Sequence, residues 1–340
     1  MNKILKLLDE NFVLDLFSRE VLPQYPEYSE IQKIKFQPYK KLVWETTYHV
    51  VFGFEVSFLK ADQTTDKILI VCTAHSNEPR KNVYEALKYL WDNGLTRGHF
   101  DLPRPLFYSE QFNATFYQGL MGENLFYYIK QKDVATLEKM IIASAKLFAR
   151  LHQVKAGPEV NFNPSNANIK TVIPGVERIF KEMSRRYNHQ YNEDLEKMYN
   201  YFLAEENKYF PKIDDLVLIH GDAHTENIIK TGENDIGLID FTDICLSDFA
   251  RDLGTFIQQL EYKIMVKIKD QVLADKMKKL FLDNYLQATN LNLDDNLQSR
   301  INLYYNWTII RTATFLFMKH ENDPQLAEQL FYQAKTNLGL

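Results

Sequence analysis

Glycine is scarce in this chain: 340 residues contain only 12, about half of what an average usage of roughly 7% would supply. Neither GxGxxG nor GxxxxGK[ST] occurs, so the glycine-dependent loops that cradle phosphate through backbone amides are excluded. Cysteine is scarcer still. Cys72 and Cys245 make neither a disulfide framework nor a zinc spacing, and read as small buried hydrophobes. There is no run of four or more Lys/Arg, and the net charge is −5. A nucleic-acid partner and a polybasic membrane contact are therefore not expected. No uncharged apolar run reaches the roughly 18 residues that span a bilayer. The opening MNKILKLLDENFVLDLF places charges among its apolar positions at helical spacing, unlike a secretory h-region, which predicts a cytoplasmic protein. Oligomeric state is left open.

What is abundant is aromatic and apolar: 23 Phe, 20 Tyr and 45% hydrophobic residues overall. This length favours roughly two domains. An amphipathic helix is expected over about residues 3–18. Segments 34–44, 47–60 and 67–75, rich in Val, Ile, Phe, Tyr and Thr, read as antiparallel strands. From about Pro79, the spacing of Val83, Leu87, Leu90 and Trp91 predicts a helix that Asn93-Gly94 stops. Short strands near 105–109 and 114–118 complete a five-strand, one-helix unit. Beyond Gly119 helices dominate: a stripe from Leu137 to Leu151, a stretch over about 175–209, and some four helices after Ser247. Between them lie a strand at Leu216–Ile219 and a hairpin of Asn227–Lys230 and Ile236–Ile239 turning through Thr231–Asp235. The reading is α+β: a small antiparallel-sheet N-lobe over 1–118 and a large, mostly helical C-lobe over 119–340.

Chemistry concentrates in LVLIHGDAHTENIIKTGENDIGLIDFTDICLSDFARDLGTFI, residues 216–257. Asp222 follows an apolar strand in a loop opened by Gly221. Asn227 enters the hairpin and Asp240 leaves it, so the two ends should meet with Asp222 close by. Two carboxylates and an amide oxygen are hard donors of the kind Mg²⁺ accepts, with water and phosphate completing its shell.

His220-Gly221-Asp222 with Asn227, then Ile239-Asp240-Phe241, resembles the H-G-D-x-x-x-x-N…I-D-F signature of the aminoglycoside phosphotransferase and choline kinase-like small-molecule kinases. Asp248, Asp252, the helix end Leu147–His152 and Gly122-Glu123-Asn124-Leu125 are similar to further features of that family. The resemblance implies a protein-kinase-like fold and transfer of the γ-phosphate of ATP or GTP to a hydroxyl of a small molecule. The acceptor would be an aminoglycoside, amino alcohol, sugar or similar metabolite. It implies Asp222 as the catalytic carboxylate, Asn227 and Asp240 as Mg²⁺ ligands, and Glu85 with the hinge residues Gln118, Gly119 and Leu120 at the nucleotide. His220 would be structural, and His224 takes no role from the family.

The sequence departs from the family in the small lobe. Kinases of this architecture carry a third-strand lysine paired to a helix glutamate, yet residues 68–79, ILIVCTAHSNEP, hold no Lys or Arg, and the expected position falls near Cys72. The loop between the first two strands, Trp44 to His49, has no glycine. The alternative is therefore a kinase-fold pseudoenzyme acting as a binding or scaffold protein, against which stand both Asp222 and Asp240. A zinc-hydrolase reading of the His220/His224 spacing fails because the eight histidines offer no second pair to complete the site. Asp243 and Glu261 are weighed as contacts for a cationic substrate. The run Tyr304, Tyr305, Trp307 is expected to pack between helices rather than form a cation cage. Ser247 is expected to cap the helix that follows it, with Asp248 adding N-terminal charge.

Overall fold

The computed structural model describes residues 2–156, 160–172, 174–210, 215–319 and 324–340. A 3₁₀ turn (Lys3–Leu8) leads into α1 (Glu10–Glu20), β1 (Tyr28–Val43), β2 (Tyr48–Lys60), β3 (Thr65–His75) and α2 (Lys81–Asp92). Short strands β4 (Phe100–Asp101), β5 (Arg104–Ser109), β6 (Ala114–Gln118) and β7 (Glu123–Asn124) follow, then α3 (Leu125–Gln131), α4 (Val134–His152), α5 (Val176–Arg186) and α6 (Asn192–Tyr209). The last part holds β8 (Val217–Ile219), β9 (Ile228–Lys230), β10 (Ile236–Leu238), β11 (Cys245–Ser247), α7 (Ala250–Lys267), α8 (Gln271–Thr289), α9 (Asp295–Lys319) and α10 (Gln325–Leu338).

Two compact units result. One runs to Glu123 and takes in Ile229–Thr242; the other comprises Asn124–Ile228 and everything from Asp243. The β9–β10 hairpin, expected in the second lobe, thus groups with the first. The cause is tertiary: β10 pairs in parallel with β4, Ile236 opposite Phe100 and Gly237 opposite Asp101, and local pattern carries no information about such a partner. Gly122 seals the arrangement at φ +136°, where a Cβ would lie 1.9 Å from the Lys230 carbonyl oxygen.

In the first unit a five-stranded antiparallel sheet has the order β1-β2-β3-β6-β5. Alternation along β2 sends Val50, Phe52, Phe54, Val56 and Phe58 to one face, where α1 covers them with Val13, Leu16 and Phe17. Phe17 meets Phe54 and Phe116 edge-on at 5.2 and 6.0 Å. Each such fully buried aromatic contributes about 2–3 kcal/mol. The single N-terminal helix expected over 3–18 is broken at Asp9. Its extended backbone and a carboxylate that accepts from Phe12 N make it the N-cap of α1, so the 3₁₀ turn ends there. Cys72 lies in this same core, on the α1 side. The opposite face of the sheet carries Val51, Gly53, Val71, Thr73 and Tyr117, aligned by register.

The second unit is a helical assembly in which α7 packs on α8 and α9, α4 on α8, and α10 on α9. A Cβ on Gly254 of α7 would lie 2.6 Å from the Ile301 carbonyl oxygen of α9, so only glycine allows that close crossing. The helical stretch expected over 175–209 is two helices, because Asn188 and His189 take positive φ between them. Tyr304 and Trp307 are buried and pack among helices, Trp307 against Phe202 at 5.4 Å. Ser247 does not cap α7: its hydroxyl donates to the Ala167 carbonyl, while the Asp248 carboxylate accepts from Ala250 N and Arg300.

Glu206 on α6 is 4% exposed and accepts from Ile169 N and the Tyr304 hydroxyl. Burial raises its carboxyl from 4.5 to about 7 in spite of those bonds. Between these values the folded state binds more protons than the unfolded one, so stability falls as pH rises through this window. The penalty, fully present above the upper value, is about 3 kcal/mol. Glu206→Gln is expected to flatten the dependence of the denaturation midpoint between about pH 5 and pH 8. A variant that keeps the wild-type slope would contradict this assignment.

Candidate active site

The loop after β8 is built from apolar anchors outward. Leu218 and Ile219 are buried, and β11 pairs with β8, Cys245 opposite Ile219. Gly221 turns the chain at φ +81°, with the Asp243 carbonyl oxygen only 2.3 Å from where a Cβ would stand. Asp252, fully buried on α7, accepts from His220 N at 2.6 Å and Gly221 N at 2.9 Å. It also meets His152 Nε2 at 3.1 Å, and His152 Nδ1 reaches the Tyr285 hydroxyl at 2.8 Å. Burial alone would raise the Asp252 carboxyl, but the His152 hydrogen bond, the charges of His152 and His220 and the Gly221 N–H hold it below the usual range. The end of α4 and the start of α7, which the sequence presents as separate matches, are thus one clamp on the loop backbone.

Asp222 leaves that loop about half-exposed. Its Oδ2 lies 3.3 Å from His224 Nε2, and His224 Nδ1 lies 3.2 Å from Glu226 Oε2. Glu226 is in turn paired with Lys263 of α7. Burial disfavours charge throughout this chain of groups, but the hydrogen bonds and charges outweigh it. His224 is raised to about 10 and is an imidazolium at neutral pH, and Glu226 is lowered to about 2. Asp222 is held well below the carboxylate range by the His224 hydrogen bond and the charges of His224, His220 and Arg311. A carboxylate this weakly basic is suited to orienting a hydroxyl by accepting its hydrogen bond.

Asn227 is buried, and its Nδ2 donates to the Asp222 carbonyl oxygen at 3.0 Å. Its amide is thereby oriented, with Oδ1 as the remaining oxygen donor. Asp222 borders a cavity of about 580 Å³ in the second unit. The lining includes Arg251, Lys263, Arg311 and Lys319 against the carboxylates of Asp222 and Asp243. Glu261, weighed as a substrate contact, is instead engaged by Lys278 and the Tyr305 hydroxyl.

The remaining sequence candidates lie in the first unit. Asp240, two residues beyond β10, takes φ +63°, sparsely populated for residues other than glycine, and its Oδ1 accepts from the Thr242 hydroxyl at 2.8 Å. Glu85 forms an exposed i,i+4 pair with Lys81 at 3.7 Å, of a kind that contributes little. Gln118 Oε1 accepts from the Tyr25 hydroxyl at 2.8 Å, Gly119 N donates to Leu69 O at 2.8 Å, and Leu120 packs against Gly237. Gln118 thus ends β6, Gly119 continues its pairing with β3, and Leu120 turns to β10. The position near Cys72 is resolved by register, since only Val71 and Thr73 share the face away from α1.

Sequence reasoning gave His224 no role and did not name Lys263 or Arg311. The alternation Asp222, His224, Glu226 is a local signal for the first of these. Lys263 and Arg311 reach the cavity only through helix packing and leave no local trace.

Residues 52–285 match the phosphotransferase enzyme family, APH. Comparison with curated proteins gives no match. Among solved structures, a spectinomycin phosphotransferase in complex with ADP and spectinomycin aligns over 96% of this chain and 94% of its own, at 14% identity and TM-score 0.54. An ethanolamine kinase from Plasmodium vivax aligns over 90% and 82%, at 16% identity and TM-score 0.54. An amicoumacin kinase in complex with AMP-PNP and Ca²⁺ aligns over 94% and 92%, at 13% identity and TM-score 0.53. The chain belongs to the phosphotransferase enzyme family, with the protein-kinase-like α+β fold of its small-molecule kinases.

Proposed function

We propose that this enzyme transfers the γ-phosphate of ATP or GTP to a hydroxyl of a small molecule, with Mg²⁺ as cofactor and Asp222 as the catalytic carboxylate. The observation that carries this reading is Asp222 itself: it stands half-exposed at a cavity wall, on a loop whose backbone Asp252 clamps. Asp222 accepts a hydrogen bond from the acceptor hydroxyl, aims its oxygen at the γ-phosphorus and takes its proton as the new P–O bond forms and the bond to the β–γ bridging oxygen breaks, the nucleoside diphosphate leaving with that electron pair. With a loose transition state the proton leaves late, so a weakly basic carboxylate suffices.

The donors offered for the metal fit its chemistry. Among the described residues no group of three or more His, Cys, Asp or Glu forms a metal cage. Mg²⁺ commonly takes only one or two protein carboxylates, its shell completed by water and substrate phosphate. Asp240 and the Asn227 Oδ1 are the oxygens that would hold it. When bound, Mg²⁺ neutralises charge on the phosphate oxygens.

The cationic excess around the cavity favours a neutral or anionic acceptor, such as a sugar or hydroxy acid, over a polycationic aminoglycoside. The test is a panel of hydroxylated metabolites, amino alcohols and aminoglycosides, with ATP and GTP, scored by nucleoside diphosphate release with and without Mg²⁺. Mg²⁺-dependent turnover of a sugar or hydroxy acid is expected, with aminoglycosides inert. If no acceptor releases diphosphate, and neither nucleotide shifts the thermal midpoint, the kinase reading fails and the binding or scaffold alternative takes its place.

A further inference from the structure

We propose that Lys40 and Arg80 form a cation pair on the first unit that grips the polyphosphate of the nucleotide, supplying from β1 and from the residue before α2 the charge that β3 lacks. The assignment rests on the nucleotide-dependent reading above and names residues for it that the family signature does not.

The argument begins with register. On β1, Phe36 pairs with Phe54 and Pro38 with Phe52, both on the α1-covered face. Without interruption Lys40, two residues on, would point into that core. The register instead shifts between Pro38 and Lys40, leaving Tyr39 as an extra residue, so that Lys40 pairs with Val51. A one-residue slip exchanges the faces of a strand. Val51 pairs in turn with Thr73 of β3. The bulge therefore sets Lys40 in one row with Val51 and Thr73, on the face away from α1.

Lys40 has a neutral acceptor beside it, and the charge of Arg80 acts on it. Its Nζ lies 3.1 Å from His49 Nε2, and the His49 and His75 rings meet at 4.8 Å. Burial and the charges of Lys40 and Arg80 push His49 down to about 4. Its imidazole is thus neutral, and Nε2 accepts from the ammonium and aims it. Arg80 is only 6% exposed, and among the described residues its Nε has no hydrogen-bond partner. The guanidinium meets Glu78 at a long 3.4 Å, and Glu78 is more than half exposed. Its backbone is pinned, the N–H to the Asn113 carbonyl oxygen and the carbonyl to the Thr115 hydroxyl. Among the described residues no carboxylate comes within ion-pair distance of Lys40, although Asp240 acts on it from further away.

Two cations that repel each other, one partly and the other almost wholly removed from water and carrying an unused donor, are costly unless an anion joins them. The anion must reach both groups and lie beside Asp240, the candidate metal ligand of the same unit. A polyphosphate chain meets these demands: its oxygens suit the guanidinium fork and the ammonium together, and it carries the metal that Asp240 would bind.

The test compares Lys40→Met and Lys40→Arg with wild type by titration calorimetry. The probes are ATP or GTP, whichever binds, and the corresponding nucleoside, in the presence of Mg²⁺. Lys40→Met is expected to weaken the triphosphate by about 10- to 100-fold, the loss of one charge-assisted hydrogen bond, and to leave the nucleoside within about twofold. Lys40→Arg should recover most of the loss. Unchanged triphosphate binding, or an equal loss for triphosphate and nucleoside, overturns the assignment while leaving the kinase reading standing. A wild-type protein that binds neither triphosphate overturns both.

Discussion

Asp222→Asn is expected to lower kcat by about 10²- to 10⁴-fold, the range for removing a positioned proton acceptor, with little change in nucleotide affinity. The substitution keeps the size of the side chain and can still accept one hydrogen bond, but it removes the charge that draws the acceptor proton. The neighbouring imidazole reports the change independently. His224 stands at about 10 because burial, which lowers it, is outweighed by Asp222 and Glu226. Loss of one carboxylate should move its titration downward, as NMR of the ring protons would record. Turnover within about threefold of wild type would remove Asp222 from the chemistry, whatever the titration of His224.

Asp252→Ala should be the most damaging substitution away from the cavity. Asp252 satisfies two backbone N–H groups of the loop that carries Asp222, and His152. Truncation leaves all three buried without their acceptor, a cost of about 3–5 kcal/mol for breaking a buried charged network from one side. The folded carboxyl lies below its usual range. Its contribution is therefore fully present above the ordinary carboxylate pKa and is lost only as pH falls through the depressed value. Because the clamp positions Gly221 and hence Asp222, kcat should fall by about 10²-fold even where the variant remains folded. Denaturant titration at neutral pH and kinetics below the unfolding midpoint separate the two effects. Wild-type stability with wild-type kcat would mean that the clamp is incidental to the loop.

Much of this was legible in the residues. Strand alternation over 47–60 and 67–75, the helix stop at Asn93-Gly94 and the stripe from Leu137 to Leu151 are local patterns, and local patterns survive without knowledge of tertiary partners. The break at Asp9 was missed because apolar spacing runs through it, although the capping carboxylate was there to be read. The division of α5 from α6 was missed although Asn188 and His189 are of the types that most readily take positive φ, because that tolerance permits a break without requiring one.

The order His220, Gly221, Asp222, Asn227 and Asp240 pointed, through its resemblance to small-molecule kinases, to the family that the match over residues 52–285 shows, because such a signature keeps its polar groups at short intervals in one loop and hairpin. Tertiary structure alone decided the rest. It joined His152 and Asp252, 100 residues apart, into one clamp, brought Lys263 and Arg311 to the cavity wall, and used a single extra residue at Tyr39 to turn Lys40 from the core to the other face. The physical reason is common to all three. Burial, charge and face depend on which elements pack together, and the shortage of glycine and of a third-strand lysine acquires its meaning only once the neighbouring strands are in place.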